Sequence, residues 1–527
     1  MKWVKLSQIN QLLGTHPQEI ISAGQVVKAM IINGLGFVSA PLYLFEKFFE
    51  GIATEHLFGE GIYPEHLNDD RLGRVLDKLY DAGLTEIFIR VALSAAERFG
   101  VKINSLHLDS SSFHVHGNYG TDADNKAEVE SGLITITYGY SRDHRPDLKQ
   151  FILDLMCSGD GDIPLYLRVA NGNEVDSAIF GTLIADFRKQ WQIDALFVAD
   201  AALYTKKNLQ QMQELRWVSR IPATLTAAKE LLENINIDAF IPTTIPGYRI
   251  APCCNNYGGV QQRWLVVESE VRKESDLKQL EKRLTKRYTQ AQSQLRKLCQ
   301  QKFACSEDAL KAAKGLESQL SFHQLANIEV IEHAQHHGRG RPRKDSQPTH
   351  LYQIQAEVIP KETAIFVERE RAGRFILATN VLDVNELSDE DVLREYKAQQ
   401  STERGFRFLK DPLFFTSSVF LNSSKRVAAL AMVMGLSLLV YNLGQRVLRQ
   451  SLEQTSQTIK NQLGKPTSTP TLRWVFQCFM SIHLLTMPSA MPSGLIAGLK
   501  QISNLSEERC WILQFFGAPC RKYYLLC

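Results

Sequence analysis

The sequence predicts a mixed α/β catalytic core interrupted by a large inserted subdomain, with a helical domain before it and a small module after it. Three observations carry this reading. Apolar runs of strand character recur at 106–109, 132–140, 150–156, 193–200 and 217–221, with one helical pattern, 176–190, among them. Two of these runs close on a carboxylate, Asp109 and Asp200, and open α/β sheets bind ligands at the carboxyl ends of strands. Downstream, 388–412 reads as a helix with a polar stripe. The stretch separating it from Asp200 is too long for a loop and must hold structure of its own.

Size and composition set the frame. A chain of 527 residues, 44% hydrophobic and 22% charged, is an ordinary soluble globular protein of more than one domain. The formal net charge is only +3, so any surface for a polyanion must be local. Nine cysteines include an adjacent pair, Cys253 and Cys254, but no CxxC spacing. This predicts reduced thiols in a cytosolic protein, with neither a zinc site nor a disulfide framework. The N-terminus lacks the apolar core of a signal peptide. The apolar run 427–443 sits at the lower edge of a membrane span; with Ser437 and Asn442 inside it and Lys425, Arg426 and Arg446 around it, it reads as a buried helix.

Taken in order, residues 1–100 form a helical domain. The run 23–32 (AGQVVKAMII) has helical spacing and stops at Asn33-Gly34, and 43–49 and 71–79 repeat the pattern. Small helical domains can place a helix in a DNA groove, and DNA binding is the expected role. Residues 101–222 are the first part of the core and 388–450 the second. Three strands, a helix, a strand, another strand and a late helix is the order of the RNase H-like fold. That fold carries one acid on the first strand, one on or after the fourth, and one on the late helix. Asp109, Asp200 and Glu403 occupy those places. Residues 223–387 are the insertion, with strands at 264–268, 353–358 and 374–379 and a charged helical stretch at 270–319. Residues 451–527 read as a polar linker and a closing module.

The late helix is read from its ends inward. Ser388 with Asp391 forms a capping-box pattern, Asp389, Glu390 and Asp391 suit a helix N-terminus, and Pro412 is a stop. On one continuous helix, Tyr396, Gln399, Glu403 and Lys410 fall within an arc of roughly 60°. Such a stripe can hold a metal and an adjacent phosphate. Its spacing resembles the Y-x2-R-x3-E-x6-K signature of bacterial insertion-sequence DDE transposases, the insertion sequence four group. Gln399 stands where that family usually has Arg, so it can donate to a phosphate but without charge. The stretches GQVVKAMIINGLGF, LYLFEKFFE and HLNDDRLGRVLDKLY resemble the N-terminal region of one subgroup.

The resemblance implies metal-dependent cleavage of DNA ends followed by strand transfer. Converging carboxylates repel one another without a cation, and hard oxygen ligands suit Mg²⁺, or Mn²⁺ in its place. Asp109, Asp200 and Glu403 would hold two ions about 4 Å apart, which activate a water or 3′-hydroxyl and stabilise the leaving oxygen. Tyr396, Gln399 and Lys410 would grip phosphate. The partner is double-stranded DNA, both transposon end and target, engaged by a homodimer in the cytoplasm with no membrane involved. The competing readings are a nuclease of the same fold that does not join ends, and a catalytically inactive DNA-binding descendant of a transposase.

Two further features are singled out. Residues 338–344 read GRGRPRK; the Arg339-Gly340-Arg341 core, followed by Arg343 and Lys344, resembles an AT-hook, whose arginines enter a narrow minor groove. His114, His116, His144 and Arg145 could orient a phosphate or water near the first acid, although each is more often an ordinary surface residue. The acids Asp122, Asp124, Asp160 and Asp162 are read as turn residues.

Overall fold

The computed structural model describes residues 6–35, 44–116, 119, 133–141, 143–335, 349–411, 421, 423–490 and 496–526. Two compact units divide the chain: Met1–Ser219, Gly258–Val260 and Leu393–Cys527 make the first, Arg220–Tyr257 and Gln261–Val392 the second.

The first unit begins with helices α1 (Leu6–Leu13), α2 (Ala23–Gly34), α3 (Phe45–Phe49), α4 (Thr54–Phe58), α5 (Asp69–Asp81) and α6 (Leu84–Arg98). Ser22 and Gln25 close a reciprocal capping box on α2, and the Asn68 side chain accepts from the Arg71 N–H at the start of α5. The apolar stripe Leu72, Val75, Leu76 and Leu79 of α5 is fully buried.

The sheet of this unit comprises β1 (Ser105–Val115), β2 (Lys149–Ser158), β3 (Pro164–Ala170), then helix α7 (Asp176–Trp191), β4 (Leu196–Ala199), helix α8 (Lys206–Gln211) and β5 (Trp217–Arg220). The strand order is β3-β2-β1-β4-β5. β1, β2 and β3 are antiparallel neighbours, while β4 runs parallel to β1 and β5 parallel to β4. The fold is therefore mixed α/β, as the alternation of patterns predicts. Two strand expectations are corrected. The run 132–140 is not a strand among the described residues: only Thr137 pairs, exchanging both backbone hydrogen bonds with Gln150. The edge of β2 is taken instead by β3. β1 also does not stop at Asp109 but continues to Val115 along β2.

The second unit holds α9 (Thr226–Asn234), β6 (Ile241–Pro242), β7 (Tyr248–Tyr257), β8 (Val260–Ser269), α10 (Glu270–Cys299), α11 (Ser306–Gln319), β9 (His323–Gln335), β10 (Thr349–Pro360), α12 (Glu362–Arg371) and β11 (Arg374–Thr379). Its strands run in the order β11-β8-β7-β6, and β9 and β10 pair separately. The charged stretch expected at 270–319 is two helices. Only Leu280, Ala291, Leu295 and Leu298 of α10 are buried; the last two pack with Ala309, Ala313, Leu325 and Ile354 into a small core.

The late segment forms α13 (Asp389–Ala398), α14 (Gln400–Lys410) and α15 (Ser424–Gln454). The single five-turn helix expected over 388–412 is corrected: it breaks at Gln399. There the Gln399 N–H bonds Tyr396 O and the Thr402 N–H bonds Gln399 O, both one residue tighter than an α-helix. The Thr402 hydroxyl also donates to Gln399 O at 2.8 Å, the kind of back-bonding that bends helices. The capping expectation fits, with the Asp391 N–H donating to Ser388 Oγ at 3.1 Å.

α15 is long and apolar enough to cross a membrane, yet 89% of its apolar window is buried inside the protein, so it is a core helix. Gly435 lets it approach the sheet, since a Cβ there would lie 2.2 Å from Leu167 Cδ1. Leu448 and Leu452 then join Leu472, Val475, Ile512 and Phe515 in a C-terminal core. The expected polar linker is partly ordered by pairing of Ile459–Lys460 with Pro466–Thr467. All eight cysteines among the described residues are free.

Candidate active site

Asp109 lies half-buried in β1 at the point where its neighbour β4 ends. Leu108 and Ala199 are the last pair in the parallel register, and Asp109 and Asp200 are the next residue on each chain. Backbone donors orient both carboxylates: Asp109 Oδ1 accepts from the Ser110 N–H at 2.8 Å and Asp200 Oδ1 from the Ala202 N–H at 2.9 Å. The Ser219 hydroxyl donates to Asp200 O at 2.8 Å and ties the turn to β5.

Helix α14 lies over the face of the sheet that carries Asp109. Leu155 is the β2 partner of Asp109, and directly opposed residues share a face. A Cβ on Gly405 would lie 3.0 Å from Leu155 Cδ2 and 3.2 Å from Leu438 Cδ2, so glycine permits close seating here. Further along, Phe406 meets Phe113 with ring centres 6.4 Å apart, and Lys410 Nζ is 5.4 Å from the Phe113 ring. In the other direction, Glu395 of α13 lies 3.6 Å from the fully buried His107 of β1. The helices therefore follow β1, with Glu403 toward the Asp109 end and Lys410 toward the Phe113 end. Asp109 and Asp200 offer hard oxygen donors suited to a divalent cation. Among the described residues no three His, Cys, Asp or Glu side chains form a ready group for a metal ion. Glu403 thus shares the face, exposed on α14, without closing a three-ligand set.

The break at Gln399 divides the predicted stripe. Tyr396 belongs to α13, Glu403 and Lys410 to α14, and Gln399 is only 9% exposed at the joint. Lys410 Nζ is 2.7 Å from Asp143 Oδ2. The same carboxylate lies 3.5 Å from His114 Nδ1, whose Nε2 meets Ser141 Oγ at 2.9 Å. Desolvation, chiefly, lowers the His114 pKa against the pull of Asp143. Arg145 forms a forked pair with Asp147, holding that carboxyl at about 2. His116 and His144 are exposed. Asp160 and Asp162 do lie in the β2–β3 turn, but each is gripped by an arginine fork: Arg446 on Asp160 at 2.6 and 2.8 Å, Arg404 on Asp162 at 2.8 and 2.9 Å. No spacing in the sequence announces Asp143, Arg404 or Arg446, because each works through a partner hundreds of residues away. Arg339, Arg341, Arg343 and Lys344 of the basic loop lie outside the described residues, as do Asp122 and Asp124.

The chain is similar to known proteins. Residues 3–93 match a domain of unknown function (DUF4277), and residues 104–443 match the family described as "Transposase DDE domain". No curated protein matches the sequence. Among solved structures, the chain is similar to a piggyBac transposase synaptic complex with hairpin DNA, at 8% identity and a TM-score of 0.35 over 83% of this chain and 71% of that one. It is also similar to a Mos1 transposase paired-end complex, at 11% identity and a TM-score of 0.15 over 41% of this chain and 62% of that one. The family match covers both strand-end acids, the whole second unit and helix α14, and so the chain belongs to the DDE transposase domain family and is a transposase, an enzyme of DNA cleavage and strand transfer.

Proposed function

We propose that Asp109, Asp200 and Glu403 are the three catalytic acids of an RNase H-like core, and that they bind Mg²⁺, replaceable by Mn²⁺. The observation that carries this reading is the β1–β4 register, whose last pair, Leu108 and Ala199, immediately precedes Asp109 and Asp200. The strand order β3-β2-β1-β4-β5 with α14 above it supports the fold assignment. DDE transposases generally use divalent metal ions. The cation would neutralise charge on the phosphodiester and favour ionisation of the attacking water or 3′-hydroxyl. Asp109 and Asp200 hold it from the sheet. Glu403 would complete the set from the helix.

Lys410 lies two turns beyond Glu403, about 10 Å along the axis at ~1.5 Å per residue. That is too far to share the cation and suits an ammonium reaching the next phosphate. Lys410 pairs with Asp143, and a phosphate would compete with that carboxylate for the ammonium. Tyr396 is carried by α13, while Gln399, buried at the joint, would reach DNA only if the joint moves. The partners are double-stranded DNA at the transposon end and target, bound by a homodimer in the cytoplasm. The helical N-terminal domain and the basic loop with Arg339, Arg341, Arg343 and Lys344 add DNA contacts. The Tyr396, Glu403 and Lys410 spacing supports membership of the insertion sequence four group.

The test is end cleavage of the element's own terminal DNA in Mg²⁺. Asp109→Asn, Asp200→Asn and Glu403→Gln should each cut cleavage by about a hundredfold or more while DNA binding persists. Appreciable cleavage by any one variant removes that residue from the site.

A further inference from the structure

We propose that Tyr138 and Tyr140 form a stacking platform for unpaired nucleobases of the DNA end, beside Lys410. This rests on the active-site reading above and extends it to a second contact with DNA. Tyr138 is 58% and Tyr140 84% exposed, and an aromatic ring with a polar tip is suited to binding at a wet surface. Their backbone is not loose. Thr137 exchanges both hydrogen bonds with Gln150, and the Gly172 N–H donates to Thr135 O at 3.0 Å. The Gln150 side-chain amide donates to Tyr140 O at 3.2 Å and to Gly172 O at 2.7 Å. A Cβ on Gly139 would lie 2.1 Å from Gly172 O, so the residue between the two tyrosines is pressed against its neighbour. Two solvated rings thus sit on a clamped segment, which lowers the entropic cost of binding a ligand on them.

Charge and ring chemistry name the occupant. Tyr138 and Tyr140 are exposed on either side of half-buried Gly139, so both rings are offered to solvent. Lys149 Nζ lies 6.0 Å from the Tyr138 ring. The segment leads directly into Ser141, Asp143 and Arg145, and so to Lys410 through Asp143. A groove combining cations with aromatic rings is the chemistry that holds single-stranded nucleic acid. A paired duplex cannot use it, because its bases are already stacked.

The test compares two probes with the full-length protein in EDTA, where no cleavage intervenes. One is a blunt duplex; the other is the same duplex with a three-nucleotide single-stranded extension carrying 2-aminopurine. Wild type should bind the extended probe about tenfold more tightly, the scale of one base–aromatic stack, and should quench 2-aminopurine. Tyr138→Ala with Tyr140→Ala should lose both the preference and the quenching while binding the blunt duplex as before. Tyr138→Phe with Tyr140→Phe should keep both. Unchanged preference in the alanine variant, equal loss on both probes, or loss in the phenylalanine variant overturns the proposal. Because the readout needs neither metal nor acids, its failure leaves the acid-variant cleavage test standing, and failure of that test leaves this one readable.

Discussion

The two faces of β1 carry two carboxylates treated in opposite ways. Asp109 points to the face covered by α14 and is half-buried; it follows Leu108, whose β4 partner Ala199 is followed by a second acid, Asp200. Asp154 lies across from Ser110 on the other face and is fully buried. It is neutralised within the fold: the Ser110 hydroxyl donates to it at 2.5 Å and Arg168 Nε at 2.8 Å, and Arg168 in turn pairs with Glu174. A buried carboxylate with its own cation is a structural element. The pair Asp109 and Asp200 is the one proposed to take a divalent cation, whose hard charge suits carboxylate oxygens.

Four substitutions would break or sharpen that contrast. Asp109→Asn should cost the most in function, about a hundredfold to a thousandfold in end cleavage, the scale of removing one charge-stabilising group. It should leave the thermal midpoint unchanged or slightly higher, because it relieves repulsion with Asp200. Asp154→Ala should do the reverse, lowering stability by roughly 3 kcal/mol in urea unfolding, near the low end for breaking a buried pair because Arg168 retains Glu174. Ser110→Ala removes one hydrogen bond to the buried carboxylate and should cost about 1.5 kcal/mol, with cleavage little changed even though it adjoins Asp109. A cleavage loss as deep as that of Asp109→Asn would mean the two faces are not separable. Asp143→Ala should have the smallest effect: an exposed pair contributes under about 1 kcal/mol, so stability holds, while releasing Lys410 should tighten DNA-end binding a few fold.

Much of the sheet was legible because its strands are apolar runs bounded by turns, as at Leu196–Ala199 and Trp217–Arg220. The failures have physical causes. Residues 132–140 alternate like a strand, but Gly139 and Gly172 meet backbone to backbone, and β3 holds the edge that the run would need. β3 itself was hidden behind Asp160-Gly161-Asp162 and begins at a proline, Pro164. The kink at Gln399 involves no Pro or Gly; it goes with the Thr402 hydroxyl bonding Gln399 O, a local side-chain bond that helix propensity does not announce. The wheel therefore grouped Gln399 with Glu403 and Lys410, whereas Gln399 is buried. Asp109 and Asp200 could be picked out as strand-end acids, but that both follow one register pair, Leu108 and Ala199, is set only by the parallel pairing of β1 with β4.

The central claim is that Asp109 and Asp200 hold one divalent cation between them. The most direct measurement is end cleavage by Asp109→Cys and Asp200→Cys in Mg²⁺ and in Mn²⁺. A thiolate is a poor ligand for hard Mg²⁺ and a better one for a softer transition ion. The account predicts that both variants are inactive in Mg²⁺ and regain part of their cleavage in Mn²⁺. Cleavage at the wild-type level in Mg²⁺ by either variant would contradict it.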